Sequence, residues 1–187
     1  MGLSLESMAI VMPTVHGHPN RAGFRGVLTI VDVASDKSPS GARGHRVLLT
    51  RRAAEAAIPS LMGMGLDYSP ALDRHDAQRK IGVITRAEIV GRMIEVGGFL
   101  YARDFPEIVA EIGRPSRRGA SLSAGVNRAD KNIRATHAGL GMSYEITDAL
   151  VEDIKASVWV LNRVTFTGAA VLRKDKAAYC STWIELG

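Results

Sequence analysis

Leu140-Gly-Met-Ser-Tyr-Glu-Ile-Thr147 and, after a short polar interval, Ser157-Val-Trp-Val-Leu-Asn-Arg-Val-Thr-Phe-Thr-Gly-Ala-Ala-Val-Leu172 decide the fold. In the first stretch Leu140, Met142, Tyr144 and Ile146 alternate with Gly141, Ser143, Glu145 and Thr147, the period of a strand with one face on a core. In the second, Val158, Val160, Val164 and Phe166 share a face, with Trp159, Leu161, Arg163, Thr165 and Thr167 opposite. Ser143 is thereby expected to project away from its apolar neighbours.

The same patterning recurs upstream. Gly26 to Val33 is rich in β-branched residues and is followed by turn chemistry from Ser35 to Gly44. From Arg79 to Val90 the residues Ile81, Val83, Ala87 and Ile89 alternate with polar ones, and Ile84 breaks the alternation. Met93 to Tyr101 reads as the partner strand of a hairpin turning near Gly91. Thr50 is placed to cap a short helix that Pro59 closes. Asp104-Phe-Pro-Glu107 has a capping-box layout ahead of a second helix ending at Gly113. Many strands and few helices predict an α+β domain: a distorted antiparallel β-barrel with a few surrounding helices.

Domain organisation follows the same cues. Residues 1–25 lack periodicity and read as an N-terminal arm, leaving 26–187 as one barrel domain. Within it, about 113–138 carries Arg114, Arg117, Arg118, Arg128, Lys131 and Arg134 against Asp130 among small residues, the composition of a mobile basic insertion.

Composition narrows the class without naming a function. The chain has 187 residues, a formal charge of +5 and a single cysteine, Cys180, which suits a reducing compartment. The basic balance, with a pI near 9.7, favours acidic partners. Nucleic acid would be bound only non-specifically, because the basic insertion has no Phe, Tyr or Trp on which bases could stack. The amino terminus lacks the pattern of a secretory signal and no apolar run is long enough to span a bilayer, so a cytoplasmic, non-membrane protein is expected. His16, His18, His45 and His75 lack companion ligands at a known metal spacing, and no metal or cofactor is implied.

A loop histidine beside an acid, His75-Asp76, precedes the apolar-glycine strand start Ile81-Gly82; then come the Gly-rich segment Leu140-Gly-Met-Ser143 and a late apolar strand, Leu161 to Ala170. In that order and spacing these residues resemble the prohead (capsid maturation) serine proteases of tailed bacteriophages, related in fold to the herpesvirus assemblins. The similarity covers roughly Gly26 to Ala177 without the basic insertion. It implies an assemblin-like barrel and a serine endopeptidase that processes scaffold and major capsid proteins. That activity belongs in the immature head, inside the infected bacterial host. Ser143 would then be the nucleophile and His75 the general base, with backbone N–H groups near Ser143 holding the oxyanion.

The chain departs from the family at the third position. Relatives carry an acid just before the valine of the late strand, and here that place falls on Arg163. A guanidinium has no acceptor with which to orient a histidine. Three explanations stay open. Another group orients His75, with Asp76, Glu145, Asp148, Glu152, Asp153 and His137 as candidates; Arg163 stabilises the oxyanion; or the site is weakened or dead. In the last case the domain serves as a structural, minor or decoration component of the capsid. A homodimer or larger capsid assembly is compatible with all three. The end at Gly187 fits either a separately encoded protease or a self-cleaved product.

Overall fold

The computed structural model describes residues 7–11, 13, 16–114 and 139–187. Among these, the strands are β1 (Ser7–Ala9), β2 (Ala22–Ile30), β3 (Arg46–Leu49), β4 (Gly65–Asp67), β5 (Lys80–Val90), β6 (Met93–Leu100), β7 (Leu140–Val151), β8 (Val158–Arg173) and β9 (Trp183–Leu186). Two short α-helices, α1 (Arg51–Ala57) and α2 (Pro106–Ile112), accompany them. The basic insertion expected over about 113–138 falls almost wholly on residues outside this description, as does His137; of it Gly113, which ends α2, and Arg114, paired with Glu111, are described.

β8 organises the sheet. Its sixteen residues outrun any one partner, so two short strands dock in succession along one edge, β3 on Val158–Leu161 and β4 on Ala169–Ala170. Between them α1 and the turn after it stitch the same edge: the Thr50 hydroxyl donates to the Leu161 carbonyl, and the Phe166 N–H donates to Ser60 Oγ. These bonds occupy backbone groups of β8 that no strand reaches. Both β3 and β4 run parallel to β8, so the sheet is mixed rather than purely antiparallel as expected. From β4 the sheet continues through β5, β6, β2 and β9, while β7 covers the other edge of β8 and β1 pairs with β5.

The sheet curls but stays open. Its margins, β7 and the segment entering β9, meet through side chains: the Met142 N–H donates to Thr182 Oγ1 at 3.2 Å. Gly26 on β2 makes the approach possible, since a Cβ there would lie 2.4 Å from the Trp183 carbonyl and 2.7 Å from the Met142 sulfur. The architecture is therefore α+β with a half-barrel sheet.

Bulges explain the broken alternations. β5 gains an extra residue against β6 at Thr85, where the register passes from Ile84↔Gly98 to Arg86↔Gly97. A second shift against β4 at Ile81 lets Ile81, Ile84 and Ala87 all reach the core. In β8 the phase flips at Asn162, so Leu161 and Val164 are both buried. Strand β2 starts at Ala22, within the stretch expected to be an arm, and β1 pairs with β5 inside that same stretch.

α1 begins as expected, with Thr50 Oγ1 accepting from the Ala53 N–H. The capping box at Asp104 does not form. Phe105 is the N-cap residue without a side-chain bond, and the Asp104 carboxylate instead accepts from Asn20 Nδ2 at 2.8 Å.

Candidate functional site

Ser143 and the β4–β5 loop are brought together by β8. On one edge of β8, β7 places Ser143 opposite Ala170 and Glu145 opposite Gly168. On the other edge, β4 places Asp67 opposite the same Ala170. Directly paired residues project to one face of a sheet, so Asp67, Ala170 and Ser143 form a row across three strands, with the outer Cα atoms about 10 Å apart. Glu145, two residues along β7, shares that face.

The β4–β5 loop lies over this row and carries His75. It is pinned on both sides of the histidine: the Arg173 N–H donates to the Leu72 carbonyl at 2.8 Å, and the Asp76 N–H donates to Asp67 Oδ1 at 3.1 Å. Ser69 turns the loop, its hydroxyl donating to Asp73 Oδ1 at 2.8 Å. A Cβ on Gly168 would lie 2.7 Å from Glu145 Oε2, the movable end of that side chain.

The imidazole of His75 is 16% exposed, with Nδ1 3.6 Å from Asp67 Oδ1 and 3.9 Å from Glu145 Oε1. Both separations exceed hydrogen-bond range. Both ring nitrogens are buried without a hydrogen-bond partner among the described residues. His75, Ser143 and Glu145 line one cavity of about 770 Å³, whose far wall is apolar and includes Val151, Trp159 and Leu161.

Asp67 is the residue that the sequence did not single out. Its carboxylate is fully buried, accepting from the Asp76 N–H on Oδ1 and from Lys80 Nζ at 3.0 Å on Oδ2. Burial by itself would lift this carboxyl, but the neighbouring His75 imidazole and the protons donated by Lys80 and the Asp76 N–H outweigh it and hold Asp67 below the usual carboxylate value. The long-range pairing of β4 with β8 brings it to the site.

The other candidates separate by position. The Asp76 carboxylate turns away, accepting from the Gln78 N–H at 3.1 Å and lying 3.6 Å from Arg79 Nε; its backbone, not its side chain, serves the site. Glu145 does face His75, but its side chain is 48% exposed. Arg163 pairs with Leu150 and is exposed. Seven residues along β8 from Ala170, it stands about 20 Å from the Ser143 row. That distance removes it from the oxyanion position. Asp148, Glu152 and Asp153 lie beyond Thr147 toward the same distal end; Glu152 accepts from Asn162 Nδ2 and Asp153 from the Lys155 N–H.

The remaining histidines are apart from one another in role. His45 stacks on Trp159 with its Nδ1 2.8 Å from the Ala156 carbonyl, and His18 Nδ1 accepts from the Asn20 N–H. Among the described residues no group of three or more His, Cys, Asp or Glu is placed to hold a metal ion, and no helix is long and apolar enough to cross a membrane. No protein-family model matches the chain, and no curated protein matches its sequence.

Proposed function

We propose that the protein is a serine endopeptidase acting in phage head maturation, with Ser143 as nucleophile and His75 as general base. The observation that carries this reading is the presence of a half-buried serine and a buried imidazole on the walls of one cavity, although they are nearly seventy positions apart in sequence. Neither nitrogen of the imidazole has a hydrogen-bond partner among the described residues, Ser143 included, so a turn of the ring has to bring Nε2 to the Ser143 hydroxyl for general base catalysis. Ser143 Oγ would attack the scissile carbonyl as His75 takes its proton. His75 would then return that proton to the leaving amine.

The oxyanion would be met at the outer edge of β7. The Met142 N–H points to that edge, where Thr182 accepts it, and by the alternation of an antiparallel ladder the Tyr144 N–H falls on the same edge, next to Ser143. Substrates would be scaffold and major capsid proteins, as the family resemblance implies.

A fluorophosphonate probe tests the assignment directly. Intact mass and peptide mapping should place the label on Ser143, with none in Ser143→Ala and about 100-fold slower labelling in His75→Ala. Equal labelling of the parent and Ser143→Ala would remove the mechanism.

A second reading, a structural or decoration component of the capsid that borrows this fold, is favoured by one observation. Leu150 and Ile154, at the distal end of the β7–β8 hairpin, are 50% and 69% exposed. Apolar side chains so placed suit a protein contact. Stoichiometric copy number in finished particles would support this reading over the enzymatic one.

A further inference from the structure

We propose that Asp67 is the positioning residue of this site, holding His75 in the tautomer with its proton on Nδ1 so that the Nε2 lone pair can receive the proton of Ser143. The proposal rests on the Ser143–His75 reading above. It supplies from β4 the acid that the family resemblance expects on the late strand, where Arg163 stands.

Three features single out Asp67. Its carboxylate is fully buried and its Oδ1 is the nearest carboxylate oxygen to His75 Nδ1, at 3.6 Å. Two independent donors clamp it, Lys80 Nζ on Oδ2 and the Asp76 N–H on Oδ1. The second donor belongs to the residue adjoining His75, so acceptor and ring are tied to one short piece of backbone. Finally, the cross-strand row places acid and nucleophile on either side of Ala170, with the imidazole-bearing loop above. The order is therefore acid, imidazole, hydroxyl.

The rivals are weaker on the same grounds. Glu145 Oε1 is farther from Nδ1, at 3.9 Å, and its half-exposed carboxylate is screened by water and free to rotate. The Asp76 carboxylate is engaged with Gln78 and Arg79. A purely structural role, in which Asp67 only anchors Lys80 and the loop, leaves unexplained why a buried imidazole with two unpartnered nitrogens faces it. Catalytic hydrogen bonds are often long without substrate and tighten in the complex, so a modest turn of the ring would bring Nδ1–H onto Oδ1.

The proton inventory closes without a further reactant. As the bond from Ser143 Oγ to the acyl carbon forms, the hydroxyl proton moves to Nε2 and the imidazolium pairs with an Asp67 that stays ionised. Collapse breaks the C–N bond, and the same proton leaves on the amine.

The test uses the full chain and two readouts. Nitrogen-15 NMR of the histidines should show His75 as the Nδ1–H tautomer in the parent and in Glu145→Gln, and as the Nε2–H tautomer or a mixture in Asp67→Asn. An Nε2–H tautomer in the parent, or loss of the Nδ1–H form in Glu145→Gln, overturns the proposal. The Glu145→Gln spectrum decides the matter even if Asp67→Asn does not fold. Fluorophosphonate labelling of Ser143 should slow by roughly 10³- to 10⁴-fold in Asp67→Asn. Labelling within threefold of the parent also overturns the proposal. If the parent takes no label, the protease reading fails, while the tautomer measurement still judges Asp67.

Discussion

Replacing Lys80 by methionine isolates the electrostatic support of the buried Asp67. The lysine ammonium is 3.0 Å from Asp67 Oδ2, and its stem packs on Gly65, where an added Cβ would lie 2.9 Å from Lys80 Cδ. Methionine keeps most of that stem, so the change removes the charge more than the packing. A hydrogen bond to a charged group contributes about 1.5–3 kcal/mol net, and the 40% exposure of the Lys80 side chain places this one at the lower end, about 1.5–2 kcal/mol. For a domain of this size that lowers the melting temperature by roughly 3–8 °C.

The loss should also depend on pH, with a definite sign. Asp67 is held below its unfolded value near 3.9, so its contribution is present above that pH and fades as pH falls through the lower folded value. In Lys80→Met the folded carboxyl titrates higher, and the variant loses this contribution at less acidic pH. Urea unfolding at pH 7 and pH 3 should therefore show a gap between parent and variant that is widest at pH 7 and shrinks at pH 3. A gap that is the same at both pH values, or under about 0.5 kcal/mol at pH 7, would refute a charge-supported Asp67.

Further predictions concern the sheet and its distal end. Gly98→Ala puts a Cβ 1.9 Å from the Val83 carbonyl, a backbone atom that cannot yield, and should cost about 3 kcal/mol or more in thermal unfolding. Gly168→Ala meets the movable end of Glu145 instead, so stability should change by less than about 1 kcal/mol and labelling of Ser143 should persist. Arg163→Ala, at an exposed position far along β8, should leave stability within about 0.5 kcal/mol and labelling within threefold. A large loss of labelling there would return Arg163 to the site.

Local regularities carried much of the fold. The strict alternation of Leu140 to Thr147 and the Thr50 cap of α1 were legible because each depends on neighbours a few residues away. The capping box at Asp104 misled for the opposite reason, since Asn20, eighty-four residues earlier in the chain, claims the carboxylate. The three residues of β4 are too short to leave a periodic signal, and their Gly-Leu-Asp composition carries no β-branched side chain. With β4 unseen, Asp67 was one acid among many.

By itself, the sequence determined the strands of 26–33, 79–90, 93–101, 140–147 and 157–172, that Ser143 leaves the core face of its strand, and that no acid occupies the position of Arg163. These follow from side-chain period and residue chemistry, which are properties of the chain alone. Only the tertiary structure decided which acid meets His75, because the parallel docking of β4 on β8 brings Asp67 level with Ala170 and Ser143. Such a register is set by packing between segments a hundred residues apart, and no local pattern encodes it.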